Sequence, residues 1–544
     1  MRSLRDSRFR RPVSIGRTLR ILTAIAVGVL APHTTHAQPA TPDTGTTLLL
    51  RGGLVVDGTG APARRADILL RGTRITHVGV KLAPPRGARV LEVSGLIVSP
   101  GFIDPHAHIS GIAQAPMAEN FLRQGVTTIV NSLHSLDQPY PLGAFLDTLR
   151  VAPNTLWTAG HTWLRKRIMG TGNRAPTKVE LDTMRAYVGR AMNDGAFGLS
   201  TGLEYIPAVY AELPELVALG QAAKRPGSVY VTHLRDEGAA LEAAIAEAVA
   251  VGRQSAQPVH ISHIKSAGTS NWGKSSAVLR GLDSLAARGL RVTYDVYPFP
   301  AYSTYSDVLF PAWALADGDA AVRQRLGDSA MIARLRREMP AVWVAQTGGT
   351  AASILFRTMR SAPQYAGRTL ADYLRDRDTP ETVANIVDAL ITLQRDGGFT
   401  ATVQAMNEHD IEAFLRHRAG MVSTDGDLVT PGQGFPHPRS YGAFPRVIAE
   451  YVEKRRVLTL EQAIERMTSR AARTFGLRDR GVIRAGASAD IVVFDRAAMR
   501  DVATFTDPHH YASGVVHLLV NGSPVIESGK LTGARPGKAI RRAP

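Results

Sequence analysis

"GFIDPHAHIS", residues 101–110, is the stretch on which the reading of this chain turns. A run of apolar residues ends there in an aspartate and two histidines, His106 and His108, one position apart. Side chains in a strand alternate faces, so both imidazoles point the same way, about 6–7 Å apart. That geometry suits one metal ion gripped from one side. The plainer alternative is a polar strand end whose histidines are simply solvated, and the rest of the chain decides between the two.

Short runs with β-branched residues recur at 126–134, 155–161, 195–202, 228–234, 259–265, 291–298 and 420–426. Amphipathic stretches such as "AELPELVALGQAAKR" (211–225) separate them with helical spacing. With 101–108 they make eight strands alternating with helices, the requirement of a closed α/β fold of the (β/α)8 TIM-barrel type. Catalytic residues of that fold collect at the downstream ends of its strands. His233 ends the fifth run, His263 the sixth and Asp425 the eighth, so four imidazoles and a carboxylate converge on one mouth with His106 and His108. That donor set matches the preferences of zinc.

The barrel is expected over 99–475, with about 120 residues between its seventh and eighth strands. Those residues carry helical patterns, so an inserted subdomain at about 300–418 is expected rather than a structureless loop. Gly- and Pro-punctuated β segments at 47–98 and 476–544 suggest a small composite β-sandwich built from both ends, with Asn521-Gly522 as a hairpin signal.

Residues 1–37 read as a secretory signal. Seven arginines precede the apolar run "ILTAIAVGVLA" (21–31), and Ala37 offers a cleavage point. Eleven apolar residues are too few to span a bilayer. The expected product is exported, periplasmic or secreted, with a 38–46 linker and no stable membrane span once the signal is gone. Without that segment the chain keeps 57 basic and 46 acidic side chains. They are scattered, with no compact basic run, which argues against nucleic acid and for a solvated surface. The chain has no cysteine, so it has no disulfides, and any metal must be held by His, Asp, Glu or Lys.

The arrangement resembles the amidohydrolase superfamily, and most closely its N-acyl-D-amino-acid deacylase (D-aminoacylase) branch, over about residues 46–535. The motifs are "PGFIDPHAH", "GAFGLSTGLEYIPAVYA", "VYVTHLRDEG", "ISHIKSAG", "YDVYPF" and "STDG" followed by "PHPRSYGAFPRVIAEYV". The resemblance implies a zinc-dependent hydrolase with one or two ions. It would cleave the amide of small acyl-amino acids or dipeptides, N-acyl-D-amino acids above all, by attack of metal-bound hydroxide. It makes His233 and His263 the tight ligands, with His106, His108 and Asp425 completing the centre and Asp425 also serving as base and acid. Arg439 lines up with the arginine that binds the substrate carboxylate. Lys265 and Tyr205 fall at further substrate positions, and Tyr297 and Ser303 at weaker ones.

The chain departs from this branch at one ligand. The branch bridges its metals with a cysteine, and that position falls on His134. A neutral imidazole has one lone pair and cannot bridge as a thiolate does. A carboxylated lysine is also absent, because no lysine lies between Lys178 and Lys224. Glu204, just past "GLSTG", is the better bridge on physical grounds; otherwise His134 helps hold a single zinc. The rival activities are a cyclic-amide hydrolase of the hydantoinase or dihydroorotase kind and a dipeptidase acting on D-residues. A non-catalytic metal-holding protein is the rival outside enzymes, and a base at Asp425 argues against it.

Overall fold

The structure is a computed structural model that describes residues 46–132 and 138–542. The expected signal, nearly all of the expected linker, and His134 lie outside the described residues.

Eight parallel strands form the barrel. They are Phe102–His108, Val126–Asn131, Asn154–Trp157 continued by Ala159–Gly160, Gly198–Gly202, Val229–His233, Val259–Ile261, Val292–Val296, and Gly420–Val422 continued by Gly426–Asp427. The third strand pairs with the second through its first half and with the fourth through its second half. The eighth divides in the same way, Tyr294 facing Gly420 on one side and Ala107 facing Gly426 on the other. Two open ribbons are thereby joined into a ring.

These strands are covered on both faces, which is why their sequences are nearly continuous apolar runs rather than alternating ones. Ile103, Val130, Leu156, Val231 and Met421 fill the interior together with Phe197 and Phe475. Helices Leu213–Ala223, Leu241–Ser255 and Ser275–Ala287 cover the outside with buried Leu216, Leu219, Val251 and Leu282. Each such side chain contributes about 1.5–3 kcal/mol by leaving water. The sixth strand is shorter than the sequence suggests. It ends at Ile261, and His263 takes a left-handed conformation (φ +33°), so strand alternation does not set where that imidazole points.

Both ends of the described chain enter one nine-stranded sheet, in which Ile97–Pro100 pairs antiparallel with Ile491–Phe494. The sheet curls back on itself, since the Ile75 amide donates to Ala487 and the Gly486 amide to Ile75. It encloses a separate core that includes Leu50, Ile68, Ile491 and Leu519. Asn521 and Gly522, both at positive φ, turn Val515–Val520 into Ser523–Glu527, as a tight hairpin requires. Between the seventh and eighth barrel strands lies a three-stranded antiparallel sheet of Ala301–Tyr305, Phe399–Gln404 and Ile354–Met359. Helices that include Ser329–Thr347 and Val383–Arg395 accompany it.

Gly198 marks the closest approach in the barrel. A Cβ there would lie 1.8 Å from the Val229 carbonyl oxygen of the neighbouring strand. Gly198→Ala is expected to cost about 3 kcal/mol of stability, because the backbone itself must move. A urea midpoint unchanged from wild type would contradict that packing.

Candidate active site

The groups at the mouth come from the ends of several separate strands. His106, fully buried, and His108, one-fifth exposed, leave the first strand with ring centroids 5.5 Å apart. Asp104 accepts from both the amide and the hydroxyl of Thr424, which pins the end of the eighth strand to the first. The next residue, Asp425, stands at φ +45° and donates its amide to the His106 carbonyl. Its Oδ1 then lies 3.2 Å from His106 Nε2 and 3.0 Å from His108 Nε2. On the opposite side, His233 Nδ1 and His263 Nε2 stand 2.9 Å apart. His106 and His263 ring centroids are 4.7 Å apart, so the two halves form one cluster. Left-handed backbone at both Asp425 and His263, neither a glycine, is strain of the kind held at functional sites.

Carboxylates stand behind the histidines. Asp295, fully buried, lies 3.6 Å from His106 Nδ1, and accepts from Ser423 Oγ at 2.5 Å and from the His263 amide at 3.0 Å. His260 also meets Asp295 at 2.8 Å and is a buried structural group. Glu204 Oε2 sits 2.9 Å from His233 Nε2, the nitrogen opposite the one that faces His263. Glu204 therefore does not lie between the two halves as a bridge would. The turn after Gly202 carries its carboxylate to the outer side of the ring, where it orients His233. Glu237 is the carboxylate behind His263, 3.0 Å from Nδ1. The Lys265 ammonium is bound there as well, 2.6 Å from Glu237 and 2.8 Å from the same Nδ1. That outer position already holds a positive charge, which leaves the inner cluster for a metal.

The electrostatics agree with this division. Burial drives His233 down to about 4, and burial with the Lys265 charge holds His263 well below its usual range. Both rings are therefore neutral and offer lone pairs, as metal ligation requires. Burial also lowers His106, but Asp295 and Asp425 outweigh it and raise that histidine to about 9. Burial raises Asp425, yet Arg439, His263 and His106 together hold it well below the usual carboxylate range. Burial and the neighbouring Glu237 push Glu204 up to about 8. A divalent cation would relieve this crowding of buried like charges. The donors present, four imidazoles and a carboxylate free of sulfur, fit zinc.

The amidohydrolase family pattern matches residues 89–526. The chain belongs to the amidohydrolase family. It is 34% identical over 521 residues to N-acyl-D-glutamate deacylase of Alcaligenes xylosoxydans xylosoxydans, covering 91% of this chain and 96% of that protein. The crystal structure of a D-aminoacylase aligns with a TM-score of 0.77 and 32% identity, over 91% of this chain and 99% of that one. N-acyl-D-glutamate deacylase from Bordetella bronchiseptica, complexed with zinc and a phosphonate mimic of the tetrahedral intermediate, aligns with a TM-score of 0.76 and 31% identity, over 91% and 100% of the respective chains.

Within this amidohydrolase, a cavity opens from the cluster and is roofed by the insertion. His108, His233, His263, Lys265, Asp425 and Arg439 line its floor side. Arg439 is buried rather than at the surface, with Nη1 2.7 Å from Asp425 Oδ2 and its guanidinium 4.6 Å above the Tyr297 ring. Its Nε and Nη2 carry no hydrogen bond among the described residues and are available to a carboxylate. Tyr205 lies against the His233 ring at 4.7 Å and also lines the cavity. Ser303 reaches the wall and is bound by Arg357 Nη1.

Arg357, Asp427, Asp307 and Gln346 were not singled out from the sequence. Arg357 sits at a β-bulge between Phe356 and Thr358, which turns its side chain toward Asp427 Oδ2 at 2.6 Å. Gln346, from the end of the long insertion helix, donates to Glu204 Oε1 at 3.1 Å. These residues come from the insertion or the strand beyond STDG, and only the bulge geometry and the helix end aim them at the site.

Asp295 tests whether the carboxylates behind the histidines hold the site. Asp295→Ala removes the acceptor shared by His260, Ser423 and the His263 amide. A loss of about 3–5 kcal/mol in urea unfolding is expected, since buried partners are left unmatched. A loss under about 1 kcal/mol would contradict this reading.

Proposed function

We propose that the chain is a zinc-dependent amidohydrolase that removes the acyl group from N-acyl-D-amino acids. The observation that carries this is the cluster of His106, His108, His233, His263 and Asp425 beside Arg439, whose Nη1 lies 2.7 Å from the Asp425 carboxylate. Those five residues would hold the zinc, with Glu204 and Glu237 fixing the orientation of His233 and His263 from outside. Zinc bound there supplies Lewis acidity, polarising the scissile carbonyl and lowering the pKa of water towards ~7.

The chain's own residues do the rest. Arg439 offers Nε and Nη2 to the substrate carboxylate, and its stacking on Tyr297 fixes the plane of the guanidinium. This places the amide beside Asp425. Held ionised by Arg439, Asp425 accepts a proton from the attacking water and delivers it to the leaving nitrogen, so that water and amide become an acid and an amine. The insertion closes over the cavity and limits bulk water. A substrate with a free carboxylate suits this arrangement better than a hydantoin, whose ring carries no carboxylate to meet Arg439.

The N-terminal run of arginines followed by eleven apolar residues supports export, with the mature enzyme acting in the periplasm or outside the cell. Among the described residues no helix is long and apolar enough to cross a membrane.

Asp425→Asn is expected to reduce kcat by about a thousandfold or more while most of the zinc stays bound, read by metal analysis of the same sample. Retained turnover would contradict the role of Asp425. Stripping with a chelator should abolish amine release from N-acetyl-D-amino acids, and added zinc should restore it. Release from the D series and not the L series is the outcome expected of the zinc-loaded enzyme; silence on both would overturn the deacylase assignment.

A further inference from the structure

Three carboxylates of the cavity wall are matched by a cation: Glu237 meets Lys265, Asp425 meets Arg439 and Asp427 meets Arg357. Glu204 is instead hydrogen-bonded to the neutral His233 ring and to Gln346. Among the described residues Asp307 has neither a cation nor a hydrogen-bond partner for its outer oxygen. It lines the same cavity from the short turn Ser306–Leu309, and no Lys, Arg or His among the described residues lies within ion-pair distance of it.

Asp307 is held in place by neutral groups. Gln394 Nε2 donates to its Oδ1 at 2.9 Å, and Ser306 Oγ donates to the side-chain Oε1 of Gln394 at 2.6 Å. Ser306 Oγ in turn accepts from the Phe399 amide. The other oxygen, Oδ2, carries no hydrogen bond among the described residues, yet it is not sealed away from the cavity. Burial pushes the carboxyl upward, against the Gln394 hydrogen bond that lowers it, as expected where no cation stands beside it. A carboxylate fixed by an amide, facing a ligand cavity and lacking a cation, is complementary to a cation brought by the ligand. By contrast, Lys265 and Arg357 are each bonded to an acid of the cavity wall, and Arg439 turns its remaining Nε and Nη2 to the substrate's own carboxylate. Among the described residues no unpaired lysine or arginine lines the cavity for a second carboxylate of the kind that N-acyl-D-glutamate carries.

We propose that Asp307 is a specificity-determining residue that receives a positively charged side chain, so that the favoured substrates are N-acyl derivatives of basic D-amino acids such as D-arginine and D-lysine. This inference rests on the deacylase reading above and adds the side-chain class to it.

N-acetyl-D-arginine and N-acetyl-D-citrulline have nearly the same shape and differ in charge, so their kcat/KM ratio isolates Asp307. The zinc-loaded enzyme is expected to prefer the arginine compound by about tenfold or more, the worth of a charged hydrogen bond in a partly desolvated site. In Asp307→Asn the ratio should fall to about one. Because both substrates are measured on one preparation, partial misfolding of the variant cancels from the ratio. Asp307→Arg should shift preference toward N-acetyl-D-glutamate. A wild-type ratio near or below one, or a ratio unmoved by Asp307→Asn, overturns the assignment of Asp307 while leaving the deacylase reading intact. If neither compound nor N-acetyl-D-leucine is hydrolysed, the deacylase reading itself fails, and this inference fails with it.

Discussion

Everything at the mouth depends on how the eighth strand closes against the first. The Asp425 amide bonds to the His106 carbonyl, and Asp104 holds Thr424 by two hydrogen bonds. That junction places a carboxylate between two imidazoles contributed by residues more than three hundred positions away. It also requires Asp425 to stand in the left-handed region, where a residue with a side chain is costly by about 1–3 kcal/mol. The closed barrel and the buried hydrogen bonds offset this cost. The site is therefore a consequence of ring closure rather than a feature added to a finished fold.

Around that junction the polar groups are layered. Imidazole nitrogens and Asp425 face inward, while Asp295, Glu204 and Glu237 stand outside and set which nitrogen each ring offers. The absence of cysteine makes this outer layer more consequential. A thiolate could bridge metals unaided, whereas imidazoles must be oriented by their neighbours. Lys265 occupies the outer side of His263 with a fixed positive charge, which confines a metal to the inner side.

Much of this was legible in the sequence. Barrel strands covered on both faces must be apolar throughout, so they stand out, and the histidines that end them follow from counting. Arg439 and Tyr297 were found through their motifs, and the structure brings them into contact. What the sequence did not reveal is orientation. Glu204 falls in the region expected for a bridge, but a turn of two residues carries it behind His233 instead. The sixth strand ends at Ile261, four residues short of the end of its run at 259–265, so His263 lies beyond it. Arg357 and Asp307 reach the cavity, and Gln346 reaches Glu204, from the insertion, where no periodic relation links their positions to the barrel and a bulge, a short turn or a helix end decides their aim.

The central claim is that the inward-facing atoms of His106, His108, His233, His263 and Asp425 form the metal site of this amidohydrolase. A crystal structure of the zinc-loaded protein, with anomalous scattering recorded at the zinc edge, tests it most directly. The account predicts anomalous density among those five side chains, on the His233 Nδ1 and His263 Nε2 side of the rings, with Glu204 still bonded to His233 Nε2. Density confined to the outer side of His263, or a Glu204 oxygen taking the place of Asp425 as a ligand, would contradict it.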